Sequence, residues 1–232
     1  VDHFILNEAE ITLPRFLKDL REGRAKRVYA TEQFPEMATT PSPRWDLVNL
    51  RHYHAVGIQY SRGCPFNCDF CNITSLLGHR VRTKSTDQIL RELDDLYACG
   101  WHGKVFFVDD NFIGNKRHLK EDLLPNLIAW RQDKRGITFQ TEASINLADD
   151  AELMDLMAEA GFDTVFVGIE TPDDLSLAEC NKKQNEHRDL VAAVQEPGCG
   201  ETGNARPDDG DPLLQAAVPF LPAGGNPARL AV

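Results

Sequence analysis

The stretch "KVFFVDDN" (Lys104–Asn111) decides the fold. Val105, Phe106, Phe107 and Val108 are β-branched or aromatic without alternation, the pattern of a strand covered on both faces. The run then ends abruptly in Asp109, Asp110 and Asn111. Upstream, "STDQILRELDDLYACG" (Ser85–Gly100) has the spacing of a helix, with Ile89, Leu93, Leu96 and Tyr97 on one face. Ser85 and Gln88 form a capping box, and Gly100 supplies the stop. Downstream, Leu119, Leu123, Leu127 and Trp130 predict a helix over Lys116–Trp130, with a kink at Pro125.

The same alternation continues on both sides. "AVGIQY" (Ala55–Tyr60) reads as a strand before the helix at Ser85. "ITFQTEAS" (Ile137–Ser144) is a third strand, Asp149–Ala160 a helix stopped by Gly161, and "TVFVGIET" (Thr164–Thr171) a fourth strand. Strands alternating with helices give an α/β fold with a parallel sheet. Ligands in such folds sit at the carboxyl ends of strands. The acids and amides that end the last three strands are therefore the candidate site: Asp109, Asp110 and Asn111, then Glu142, then Glu170.

Outside this core the pattern changes. "VDHFIL" (Val1–Leu6) reads as a short buried strand, and Glu8–Gly23 as a helix with Ile11, Leu13, Phe16, Leu17 and Leu20 at helical spacing. Residues 24–53 hold Pro35, Pro41 and Pro43 and read as a linker. Residues 54–195 form the core. Residues 196–232 are rich in Pro and Gly without helical or strand period, so an aberrant or disordered tail is expected there. The chain opens at Val1 in mid-pattern, and the break at Gln195/Glu196 is sudden, so truncation at both ends is expected.

The 232 residues carry a net charge of -11, which argues against a nucleic-acid surface. The basic run "GHRVRTK" (Gly78–Lys84) reads as a solvated loop, although Arg80 and Arg82 could meet a carboxylate. No apolar run is long enough to span a bilayer. Six cysteines are too sparse for a disulfide scaffold, and a reducing cytoplasm is expected.

Three of those cysteines crowd into "SRGCPFNCDFCNI" (Ser61–Ile73): Cys64, Cys68 and Cys71. Thiolate is a soft ligand that selects zinc, copper(I) or iron–sulfur clusters. A Cys-x3-Cys-x2-Cys loop can wrap three corners of a cubane and leave one iron open for a substrate or cofactor. The competing reading is zinc, with a fourth ligand from His79, Cys99 or Cys180. Gly63 and Pro65 suit a tight loop, and Phe70 sets an aromatic face beside the last cysteine.

The three cysteines with Phe70 resemble the signature of the radical S-adenosylmethionine (SAM) superfamily. With "RVRTKS", "GKVFFVDDNFIGNK", "TEASINLADDAELMDLMAEAGF" and "VFVGIETP", the resemblance extends over Val1 to Gln195. It points to the cobalamin-domain-containing members that include hopanoid C-2 methylases. It implies a partial (β/α) radical SAM barrel of parallel strands, preceded over residues 1–23 by the tail of a Rossmann-like cobalamin-binding domain. Relatives there read Gly-Glu before the helix, where this chain has Asn7-Glu8. The familiar barrel has about six strands, and the fifth is expected where the pattern breaks.

The resemblance also implies the chemistry. Cys64, Cys68 and Cys71 would ligate a 4Fe-4S cluster, and SAM would occupy the open iron. An electron from the reduced cluster would then cleave SAM to a 5′-deoxyadenosyl radical. Phe70 would lie near adenine. Asp109, Asp110 and Asn111 stand where relatives carry a Gly-Gly-Glu-like stretch that meets the methionine amino group, a departure from the family motif. Glu142 and Glu170 match positions that contact the ribose or amino group. The implied function is methyl transfer to an unactivated carbon of a small or lipid-like substrate, with flavodoxin or ferredoxin as electron donor. Cobalamin belongs to the full-length family and is not expected to bind these residues alone. The alternatives are the same radical chemistry without methyl transfer, methylthiotransferase-like or an oxidative rearrangement, or a non-catalytic iron–sulfur-binding remnant.

Overall fold

In a computed structural model, the structure describes residues 1–188 and the backbone of 214–219. In chain order its first elements are β1 (Phe4–Ile5), α1 (Ala9–Arg21), β2 (Val28–Tyr29), β3 (Ala55–Ile58), β4 (Ser61–Arg62), α2 (Ile73–Leu77), β5 (Arg82–Thr83) and α3 (Thr86–Ala98). They are followed by β6 (Lys104–Phe107), α4 (Lys116–His118), α5 (Leu124–Arg131), β7 (Thr138–Ala143), α6 (Ala151–Ala160), β8 (Phe162–Glu170), α7 (Asp174–Glu179) and β9 (Leu214–Pro219).

The central sheet has the order β3-β6-β7-β8-β9, with its first four strands parallel. This is the expected α/β sheet of a partial barrel. β9 pairs antiparallel with β8, a strand where the sequence shows no strand period. Main-chain pairing with β8 defines it, and such pairing needs no side-chain alternation. The remainder of the expected irregular tail, and residues 189–195 of the core, lie outside the described residues.

Apolar side chains from the sheet and helices fuse into one core. Phe107, Phe112, Phe139 and Phe162 form its centre, with Phe107–Phe139 and Phe112–Phe162 ring centroids 5.3 and 5.0 Å apart. The predicted capping box is present: Gln88 N donates to Ser85 Oγ at 3.3 Å, and Ser85 N donates to Gln88 Oε1 at 3.1 Å. The expected kink takes another form. Between α4 and α5 the helix widens to a π-helical turn over Leu119–Leu123. Pro125 lacks the N–H that would bond the carbonyl of Glu121, and its ring crowds that carbonyl, so the widening falls one turn before the proline.

The first residues differ most from expectation. Phe4 and Leu6 are exposed, so the first strand is not buried, and it pairs parallel with β2 from the supposed linker. On α1 Leu13, Leu17 and Leu20 are also exposed. The unit is tied to the core by charge. Arg62 on β4 donates to Glu8 at 2.5 Å and Glu10 at 2.8 Å, while Arg82 on β5 donates to Glu8 at 2.6 Å. Asn7 adopts φ 65°, left-handed backbone that glycine and asparagine tolerate best.

Candidate functional site

The carboxyl ends of the strands open onto a cleft of about 240 Å³. Cys64, Phe70 and Cys71 form one wall. Asp110, Asn111, Glu142 and Glu170, from the ends of β6, β7 and β8, form the other. Residues 39 to 106 positions apart in the chain thus meet because parallel strands all finish on the same edge.

The cysteine loop leaves the sheet through a tight corner. Gly63 has φ 95°, and a Cβ there would lie 2.7 Å from the carbonyl oxygen of Arg80 and 2.9 Å from that of Gly78. Only glycine lets the loop pass so close. Cys64 N donates to Gly78 O at 3.3 Å, and Cys71 N to Cys68 O at 3.0 Å. All three cysteines are free and half-buried. Burial pushes the Cys64 thiol up, and the neighbouring Cys71, Cys68 and Asp110 act in the same direction. Bringing the Cys64 thiol to a thiolate therefore calls for a cation beside it.

The strand-end acids divide into two kinds. Asp109 is buried and faces away from the cleft: its carboxylate accepts from Tyr60 N at 3.1 Å and, more tightly, from Ser61 N. It staples the end of β6 to the corner that starts the cysteine loop. Burial pushes its carboxyl up to about 7, against the two amides that hold it down. Asp110 and Asn111 do line the cleft. Burial raises the Asp110 carboxyl, while Asn111 Oδ1 accepts from Ser144 N and Ser144 Oγ, both at 3.2 Å. Glu142 is raised by burial and by the charge of Asp110.

Glu170 closes β8 with φ 67°, a conformation that costs a non-glycine residue about 1–3 kcal/mol. One carboxylate oxygen is held tightly by Lys182, and the other is buried without a partner among the described residues. Lys182, itself buried, also sits 5.5 Å from the centre of the Phe70 ring. Gly168 makes room for the pair, since a Cβ there would lie 2.8 Å from each. Neither Lys182 nor Gln184, which donates to Cys68 Sγ at 3.5 Å, was among the residues singled out from sequence.

The zinc alternative finds little support in the geometry. His79 lines a different cavity, with Phe34 and Arg82, and Cys99 is exposed at the end of α3. The Cys180 thiol points to Leu177 O at 3.5 Å. Among the described residues no three His, Cys, Asp or Glu side chains converge as a single-ion site. Arg82 does meet a carboxylate, but it is that of Glu8. The donor set fits a multi-atom iron–sulfur group: three soft thiols on one loop, two facing a cleft, opposite acids of which one has an unsatisfied buried oxygen.

Comparison with known proteins agrees with this geometry. A family model described as the Radical SAM superfamily matches residues 58–196. A protein of Synechocystis sp. described as an uncharacterized methyltransferase is 50% identical over 194 residues, covering 83% of this chain and 36% of that protein. The hopanoid C-2 methylase of Rhodopseudomonas palustris is 42% identical over 175 residues, covering 75% of this chain and 33% of the methylase. The chain thus spans about a third of the length of these relatives. Among solved structures, the cobalamin-dependent SAM radical enzyme OxsB superposes with a TM-score of 0.63 at 22% identity, over 77% of this chain and 30% of OxsB. That likeness speaks for the fold. Among the described residues no helix is long and apolar enough to cross a membrane. With the cysteine loop, the parallel strands and the matched sequence all falling on the same residues, the chain belongs to the radical SAM superfamily.

Proposed function

We propose that residues 54–195 are the radical SAM core of a methyltransferase acting on an unactivated carbon of a small or lipid-like molecule. The observation that carries this reading is the single cleft in which Cys64, Phe70 and Cys71 face Asp110, Asn111, Glu142 and Glu170. Cys64, Cys68 and Cys71 would hold a 4Fe-4S cluster. When bound and reduced, that cluster supplies one electron to SAM, whose C–S bond breaks to give methionine and a 5′-deoxyadenosyl radical.

The chain's own residues bind and orient. Phe70 offers its ring face to adenine. Glu170, with its unpartnered oxygen, and Glu142 accept from ribose hydroxyl or ammonium donors. Asp110 and Asn111 occupy the strand end that meets the methionine amino group in relatives. Asp109 does not reach the cleft and serves by holding Tyr60 and Ser61. Among the described residues lining the cleft, Lys182 alone is cationic, the complement of a carboxylate.

The methyltransferase and hopanoid methylase names of the relatives support methyl transfer and a lipid-like substrate. The electron donor would be a flavodoxin or ferredoxin in a reducing cytoplasm. Methyl transfer through cobalamin would require a complete cobalamin-binding domain, of which residues 1–23 would be the tail, and no such step is assigned to these residues. The test is reductive cleavage: the anaerobically reconstituted, reduced chain should convert SAM to 5′-deoxyadenosine, read by chromatography. A chain that carries the cluster and leaves SAM intact would sink this reading.

A further inference from the structure

We propose that Gln184 is a positioning residue for Cys68, and that its amide eases reduction of a cluster held there. The proposal rests on the cluster reading above and extends it to a residue outside the cysteine loop.

The segment after α7 lies along the cysteine loop and meets it residue by residue. Asp69 N donates to Cys180 O at 3.0 Å, Asn181 Nδ2 donates to Asn67 O at 2.7 Å, and Gln184 Nε2 donates to Cys68 Sγ at 3.5 Å. The segment is itself fixed. Asn185, fully buried, donates to Gly168 O at 3.0 Å and Ile169 O at 2.9 Å, while Lys182 N donates to Leu177 O at 2.9 Å. Asn181 holds φ 57°, a left-handed turn that sets its amide against the loop. Gln184 is therefore anchored on both sides, and its reach to the sulfur does not depend on a free side chain finding it. Among the described residues, Cys68 is the one of the three cysteines whose sulfur receives a side-chain hydrogen bond.

The consequence follows from charge. Reduction adds one electron to a thiolate-held cluster, and part of that density rests on the sulfurs. A donor N–H at a ligand sulfur binds the reduced form more strongly than the oxidised form, so it raises the reduction potential. Gln184 also ties the potential to β8, because the segment that carries it is pinned to Gly168 and Ile169, next to Glu170.

The experiment compares the reconstituted wild-type chain with Gln184→Met and Gln184→Glu by EPR-monitored redox titration, with iron and sulfide content and the melting temperature of the apo chain measured alongside. Met keeps the length without the donor, and Glu opposes the sulfur with charge. The expected order of potential is wild type, then Met, then Glu, most negative last, at unchanged melting temperature. Reduced cluster loading at unchanged melting temperature would equally support the positioning role. Wild-type chain labelled with 15N at glutamine side chains supplies a readout that needs no variant: pulsed EPR of the reduced cluster should show a weak 15N coupling. Equal potentials and equal loading in all three proteins, or no 15N coupling, would overturn the assignment. Wild-type chain that takes up no iron would instead overturn the cluster reading itself, and the proposal with it.

Discussion

The aromatic centre of the sheet and its carboxyl edge are built from adjacent residues and could hardly differ more. Phe107 is buried against three other phenylalanines, whereas Asp110, three residues later, looks into an acid-lined cleft. The centre is satisfied: apolar, close-packed and without polar atoms to orphan. The edge holds crowded carboxylates, a left-handed Glu170 and a buried oxygen with no partner. Stability resides in the first region, and unmet valence in the second. Sites that violate local rules are where function is expected, and at this edge Glu170 combines two such violations in one residue.

The contrast predicts effects of very different size. Phe162→Ala, in the aromatic centre, should cost about 3–5 kcal/mol, read as a large fall in melting temperature. A cost below about 1 kcal/mol would mean that the centre does not carry the fold. Asp109 lies on the boundary and tests it through pH. Its folded carboxyl keeps a proton up to about 7, well above the ordinary aspartate value of 3.8, so the native state binds more protons across that window. Its contribution is complete below about pH 4 and is lost as the pH rises towards 7. Asp109→Asn should flatten that slope, at a uniform cost of about 1–2 kcal/mol because the new NH2 meets a backbone N–H. An unchanged slope would place the titration elsewhere.

The smallest stability effects belong to the edge. Glu142→Gln should move stability by no more than about 0.5 kcal/mol, since the side chain lines the open cleft and makes no hydrogen bond among the described residues. It should nevertheless weaken SAM binding roughly tenfold, as loss of a hydrogen bond to a charged group would. If stability and SAM affinity fell together, Glu142 would belong to the core. Cys99→Ala, far from the loop, should leave iron loading unchanged, whereas Ala at Cys64, Cys68 or Cys71 should abolish it.

Local signals were legible in the sequence, and long-range ones were not. The strands at Lys104, Thr138 and Phe162 follow from short apolar runs, and the capping box from two residues three apart. The cysteine loop declares a soft-metal site through its spacing, and its particular chemistry only through the resemblance that Phe70 and the later motifs complete. Asp109 and Asp110, however, are indistinguishable as letters, and only the direction each takes at the strand end sends one into the protein and the other into the cleft. Gln184 and Lys182 carry no pattern. Their partners are Cys68, 116 residues away, and Glu170 with Phe70, across a turn that no periodicity marks. The exposed Leu13, Leu17 and Leu20 on α1 show the opposite limit, since helical spacing marks the helix without saying what covers it.

The central claim is that the edge keeps one corner of a three-cysteine cluster open for SAM. Anaerobic iron–sulfur reconstitution, followed by EPR of the reduced chain with and without SAM, tests it most directly. The account predicts a cubane signal that shifts when SAM is added. A signal indifferent to SAM, or a chain that takes zinc and no iron, would contradict it.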